Sequence, residues 1–248
     1  MNNAILDCSV YCYLHSVEDS MSDCKSNGMD FGNNGKLSVE EQKEISKKML
    51  EQGFSQFFEE KFLWENVTRE EHGKPLYALG RFFNISHCHD GVAVALARVP
   101  VGVDIEGSRR VKTSTVRKCM DEEEKAYIGD LAGEWLDKEQ EKRFFHLWTL
   151  KESYVKMTGE GIRMPLNQIC FSLKENRQAF RRENFIEEGG EKGKILYADS
   201  RVWAPWQKSS VSCLLPVPCH SLALSLGWES EFLPEITYSF SAGALKDL

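Results

Sequence analysis

Asp104 and Glu106 stand two residues apart in the run Gly102-Val103-Asp104-Ile105-Glu106. On an extended strand successive side chains point to opposite faces, so the two carboxylates share one face and Val103 and Ile105 turn to a core. Paired carboxylates with no sulfur or imidazole among them suit a hard cation, Mg²⁺ or Mn²⁺, held by oxygen. The same pattern also describes a strand whose polar face is merely wet.

A second group lies in Trp148-Thr149-Leu150-Lys151-Glu152-Ser153-Tyr154-Val155-Lys156. At about 100° per residue, Leu147, Leu150, Tyr154 and Met157 form one helical stripe, and Trp148, Glu152 and Lys156 a second on nearly the opposite side. Phe145 joins the second stripe, so Glu152 is framed by apolar bulk. An exposed Glu–Lys pair at this spacing means little. Framed by Trp148 and Phe145, it can add a third carboxylate to a metal site and a cation for phosphate oxygens. A third group is Gly73-Lys74-Pro75 followed by Phe83-Asn84-Ile85-Ser86-His87. Here Lys74, Ser86 and His87 can serve an anion, or form a turn and a strand with an ordinary histidine.

These residues need scaffolding. Strands are expected at 10–14, 92–99, 101–105, 169–173, 195–203, 211–215 and 221–226. An amphipathic helix is expected over 38–62, interrupted at Gly53. A short helix follows Asp121, whose D-x-x-E spacing to Glu124 is a capping box. A long helix runs 139–158 and stops at Gly159. Strands alternate with helices, so the class is mixed α/β. The expected division is 1–100, 101–230 and a tail over 231–248.

The 248 residues carry 31 basic and 38 acidic side chains, a formal net charge of −7, which disfavours non-specific nucleic-acid or anionic-membrane binding. The eight cysteines form no C-x-x-C pair, no basic and apolar leader opens the chain, and no run reaches membrane-span length. Reduced cysteines in a soluble cytoplasmic protein are expected.

In this order the motifs resemble those of the 4′-phosphopantetheinyl transferase superfamily, in particular its larger, monomeric surfactin-synthetase-activating type: G-K-P, F-N-[IL]-S-H, G-[IV]-D-[IV]-E and W-x-x-K-E-[AS]-x-x-K. The resemblance spans about Trp64 to Phe171. It implies two similar α/β subdomains related by pseudo-two-fold symmetry, with coenzyme A between them. It also implies transfer of the phosphopantetheine arm of coenzyme A to a serine of an apo acyl or peptidyl carrier protein, releasing adenosine 3′,5′-bisphosphate. Asp104, Glu106 and Glu152 correspond to Mg²⁺ ligands. Lys74, Ser86, His87, Lys151 and Lys156 fall at coenzyme A, with Glu152 and Lys156 as the catalytic pair. Carrier proteins of this class are acidic, and Arg109, Arg110, Lys112, Arg117 and Lys118 form a +5 run with no acid between. The expected partner is such a carrier, without nucleic acid or membrane, and the protein is expected to be a monomer. The region at 38–62 has no arginine where family members carry a basic grip on the 3′-phosphate.

Two other readings follow from the sequence. The segment 30–41 approaches a calcium loop, with Asp30, Asn34, Gly35, Ser38 and Glu41 at positions 1, 5, 6, 9 and 12. Position 3 is Gly32, which has no side-chain ligand. The altered N-terminal half also admits a non-catalytic protein that only binds coenzyme A or a carrier.

Overall fold

The computed structural model describes residues 7–15, 36–77, 80–173, 195–202, 207–230, 234 and 236–242. Two sheets face each other, and each carries a helix on its outer side. Strands β1 (Cys8–Leu14), β4 (Phe82–His87), β5 (Gly91–Ala97) and β11 (Ile236–Ala242) form the first sheet, in the order β11-β1-β5-β4. Strands β6 (Val101–Gly107), β7 (Ile169–Leu173), β8 (Leu196–Val202), β9 (Val211–Leu215) and β10 (His220–Leu226) form the second, in the order β6-β10-β9-β8-β7. A two-stranded ribbon, β2 (Thr68–Arg69) with β3 (Pro75–Leu76), stands apart. The fold is mixed α/β, as expected.

Alternation sorts the core into layers. Val10, Cys12, Ala93, Ala95, Val103 and Leu224 point between the sheets. The opposite face of the first sheet, with Val92, Val94 and Leu96, meets Ile45, Met49 and Leu50 of α1 (Val39–Gly53). β5 is buried along its whole length because it is covered on both faces, which explains its unbroken apolar run. α1 does not break at Gly53. It continues as a π-helical turn over Phe54–Phe58, and Gly53 leaves room for the side chains of Tyr11 and Leu96, which a Cβ would push aside. On the second sheet Leu147, Leu150, Tyr154 and Met157 of the long helix α4 (Lys138–Thr158) pack against Leu214 and Ala223. Two shorter helices, α2 (Thr113–Cys119) and α3 (Glu122–Ile128), connect β6 to α4.

The helix ends follow local chemistry. α3 has the Asp121–Glu124 capping box, α4 a second one from Asp137 to Gln140, and Gly159 closes α4 in the left-handed region at φ 80°. No helix among the described residues is long and apolar enough to cross a membrane.

The expected tail from 231 onward is corrected. Ile236–Ala242 is a strand, parallel to β1 in the register Cys8↔Ile236 to Leu14↔Ala242, with Ile236 and Tyr238 buried. β1 needs a partner on its free edge, and this segment supplies it. Between β5 and β6 the chain passes from the first sheet to the second, and it returns to the first with β11.

Candidate active site

β6 is an edge strand of the second sheet, and β4 an edge strand of the first. The two edges meet through side chains. Asn84 Oδ1 accepts from the Val103 N–H at 2.9 Å, and Ser86 Oγ accepts from the Ile105 N–H at 3.3 Å. Two residues on one face of β4 therefore satisfy two exposed donors of β6, which would otherwise be buried unpaired.

The other face of β6 meets α4. A Cβ on Gly102 would strike the Ser153 carbonyl and the Met157 nitrogen, so glycine lets the helix lie directly on the strand. This contact sets Asp104 and Glu106 beside the Trp148–Glu152–Lys156 stripe. Lys156 Nζ lies 2.6 Å from Asp104 Oδ1, 2.9 Å from Ser86 Oγ and 3.2 Å from the Val103 carbonyl. Ser86 donates to Asp104 Oδ1 at 2.9 Å. Glu106 accepts from Trp148 Nε1 at 3.1 Å and from Arg109 at 2.5 and 3.2 Å.

The charges suit a bound cation. Asp104 is 5% exposed, and its Oδ2 is buried with no hydrogen-bond partner. Burial raises the Asp104 carboxyl above its ordinary range, against the pull of Lys156. Glu152 is also raised, by burial and then by the negative charge of Asp104, with Glu106 adding to it. Carboxylates that act on one another in this way favour nearby positive charge, and an unsatisfied carboxylate oxygen is the donor a divalent ion would take.

In front of these residues lies a cleft of about 520 Å³ lined by Lys74, Asn84, Trp148, Glu152 and Lys156. A neighbouring cleft of about 710 Å³ shares Lys74 and reaches Lys208 and Trp228. Lys74 donates to the Met157 carbonyl near the end of α4 at 2.5 Å. Burial lowers its ammonium to about 8, and Glu70 opposes the shift.

The structure thus sets Asp104, Glu106 and Glu152 within electrostatic reach of one another, though their oxygens do not all lie within 4.8 Å, with Lys156 on Asp104 and Lys74 lining the same cleft as Glu152. Two residues expected at coenzyme A have their side chains engaged within the protein. Ser86 is 4% exposed and its Oγ already serves Asp104, Ile105 and Lys156, so it stands behind the site as a positioning residue. Lys151 is fully buried on the opposite side of α4, 2.6 Å from Glu124 and bonded to the Leu166 and Ile169 carbonyls. There it ties α4 to α3 and β7. His87 is exposed at the end of β4 and does not line the cleft with Glu152.

All five residues of the basic run are exposed. Arg109 lies over Phe145 while binding Glu106, Arg110 and Lys112 flank the half-exposed Trp135, and Arg117 donates to the Leu131 carbonyl. Of the calcium-loop segment, 30–35 lies outside the described residues. Glu41 instead caps α1, accepting from the Ser38 N–H at 2.7 Å. Sequence reasoning missed Asn84 and Gly102 as positioning residues, and Trp148 and Arg109 as donors to Glu106. Gly102 was within reach of strand alternation, since it shares the face of Asp104.

Comparison with known proteins bears on the same stretch. Residues 100–203 match the 4′-phosphopantetheinyl transferase superfamily. The chain is 31% identical over 122 residues to the 4′-phosphopantetheinyl transferase gsp of Aneurinibacillus migulanus, covering 48% of this chain and 50% of that one. It is 36% identical over 112 residues to psf-1 of Bacillus pumilus, covering 44% and 46%. Against Sfp of Bacillus subtilis (strain 168) it is 32% identical over 113 residues, covering 45% and 49%. The aligned part spans about half the length of these relatives. Residues 100–203, which include both β6 and α4, are thus the part of the chain that is similar to the 4′-phosphopantetheinyl transferase superfamily.

Proposed function

We propose that this protein transfers the 4′-phosphopantetheine arm of coenzyme A to a serine of an acidic apo carrier protein, releasing adenosine 3′,5′-bisphosphate. The observation that carries this reading is the orphaned, buried Oδ2 of Asp104, on a carboxylate within electrostatic reach of Glu106 and Glu152. Relatives named as 4′-phosphopantetheinyl transferases support it.

Asp104, Glu106 and Glu152 would hold Mg²⁺, with Mn²⁺ as a substitute. The bound ion supplies charge neutralisation at the pyrophosphate. The chain's own residues do the rest. Lys156 offers a second positive charge, and Ser86 and the Val103 carbonyl aim it. Lys74 adds a cation on the far wall of the cleft. Glu152, raised by burial, is suited to accept the serine hydroxyl proton. The attacking oxygen belongs to the partner, so no nucleophile is required of this chain. Transfer then depends on positioning and charge. Exposed Arg109, Arg110, Lys112, Arg117 and Lys118 form the docking face for the carrier. The helix–sheet–sheet–helix layering is consistent with two related halves.

The test is incubation with coenzyme A, Mg²⁺ and a panel of apo carrier proteins, read by intact mass. A phosphopantetheine adduct is expected, lost in Asp104→Ala and Glu152→Ala at unchanged stability. Absence of any adduct while coenzyme A still binds would make the protein a binder without transferase activity.

A further inference from the structure

On the inter-sheet side of β6, away from Asp104 and Glu106, the turn between β4 and β5 meets the start of β10. The ligating atoms of Cys88, His89 and Asp90 all lie within 4.8 Å of one another. Asp90 Oδ1 is their common neighbour, 3.3 Å from Cys88 Sγ, 3.3 Å from His89 Nε2 and 2.9 Å from His220 Nε2. Donors bound tetrahedrally at about 2.0–2.3 Å from one ion stand roughly 3.3–3.8 Å apart. The Cys88 and His89 spacings to Asp90 match the edges of such a tetrahedron, whereas His220, 2.9 Å from Asp90, lies outside that group of mutually close donors and would close in on binding.

His220 supplies the second observation. Its Nδ1 lies 2.8 Å from the Pro218 carbonyl and its Nε2 faces the Asp90 carboxylate, and both neighbours are acceptors. A neutral imidazole has one N–H and satisfies only one of them. With its one proton on Nδ1, towards the Pro218 carbonyl, the neutral ring would have Nε2 free to take an ion. A metal-ligating histidine is oriented in this way, with its far nitrogen donating to a carbonyl.

The turn is pre-set for the task. Gln42 donates to the Cys88 carbonyl, the Leu37 N–H to that of His89 and the His15 N–H to that of Asp90, at 2.8, 2.7 and 2.8 Å. Gly107, paired with His220, leaves the space over which both imidazoles close. His89 is half-exposed and gives an ion access, while His220 is 3% exposed and shields it.

We infer that Cys88, His89, Asp90 and His220 form a zinc site, separate from the carboxylate site on the other face of β6. Sulfur and imidazole donors select a borderline-soft ion over Mg²⁺. On binding, the Cys88 thiol gives its proton to solvent and a Zn–S bond replaces the S–H bond, with no change of oxidation state. The ion would lock β4–β5 to β10, and so one sheet to the other.

The test uses full-length protein stripped with chelator and titrated with Co²⁺ in excess Mg²⁺, which keeps the carboxylate site occupied. One equivalent of Co²⁺ should produce tetrahedral d–d bands and a thiolate-to-cobalt charge-transfer band, both displaced by Zn²⁺. Cys88→Ser should abolish the charge-transfer band and weaken Zn²⁺ binding at least about 100-fold; His89→Ala, at an exposed position that leaves folding intact, should weaken it about tenfold or more. A folded wild-type protein with no charge-transfer band overturns the site, and so does a band that survives in Cys88→Ser.

Discussion

The Asn84 side-chain oxygen accepts from the Val103 N–H at 2.9 Å, joining the edge of one sheet to the edge of the other. Ser86 repeats the contact two residues on, at Ile105. The carboxylates of β6 are thus placed by a strand from the opposite sheet. Asn84→Ala leaves a buried backbone donor unpaired and should cost about 1–3 kcal/mol. Urea denaturation measures that cost. Transfer activity should fall further than the loss of folded protein accounts for, because Asp104 is left on a loosened strand.

Gly102 is where α4 rests. The atoms a Cβ would meet are backbone, which cannot swing aside as a side chain can. Gly102→Ala should therefore destabilise by at least about 3 kcal/mol, a large effect for one methyl group. The surviving folded fraction should need more Mg²⁺, since the helix carrying Glu152 is displaced from the strand carrying Asp104. A Mg²⁺ titration of the transfer rate checks this.

Lys151 and Glu124 form a buried pair at 2.6 Å. Burial raises the Glu124 carboxyl, and Lys151 is the main force opposing the rise. Lys151→Met should cost about 3–5 kcal/mol at neutral pH by leaving a buried carboxylate alone. The folded variant then retains a proton on Glu124 that the unfolded chain releases. Its stability should be greatest below the carboxylate range and fall as pH rises through the raised folded-state value. Urea midpoints measured at acidic and neutral pH test the sign, and Glu124→Gln added to the variant should flatten the dependence.

Lys74 titrates at about 8 because burial disfavours its charge. Its ammonium is present below that value and lost above it. Coenzyme A binding should weaken several-fold as pH rises through about 8. Lys74→Gln should bind about tenfold more weakly at neutral pH and show a flatter profile. Calorimetry at both ends of the range distinguishes the two proteins. An unchanged profile would remove Lys74 from the cleft's chemistry.

The carboxylate half of the site was legible because periodicity is a local property. Alternation on β6 and the i, i+4, i+8 stripe on α4 put Asp104, Glu106, Glu152 and Lys156 on the correct faces before any fold was known. Lys151 was not legible as a core residue. Its burial depends on Glu124, 27 positions away on another helix, and on carbonyls presented by the turn before β7. The bonds of Ser86 were not legible for a related reason: a hydroxyl suited to phosphate is equally suited to an edge N–H, and only the neighbouring strand supplies that N–H. Ile236–Ala242, the parallel partner of β1, escaped notice although Ile236, Tyr238, Phe240 and Ala242 alternate with Thr237, Ser239 and Ser241, the pattern of a half-buried strand.

That last pairing governs how the molecule comes into being. β1 is synthesised first, while its parallel neighbour β11 emerges more than 220 residues later, after both halves of the carboxylate site. Until then β1 has one unpaired edge, the kind of surface that invites association with other chains. Closure of such a distant contact is slow in entropic terms. The nascent protein can hold a complete β6–α4 unit well before its first sheet is finished, so truncation within Ile236–Ala242 should harm solubility sooner than it harms the geometry around Asp104.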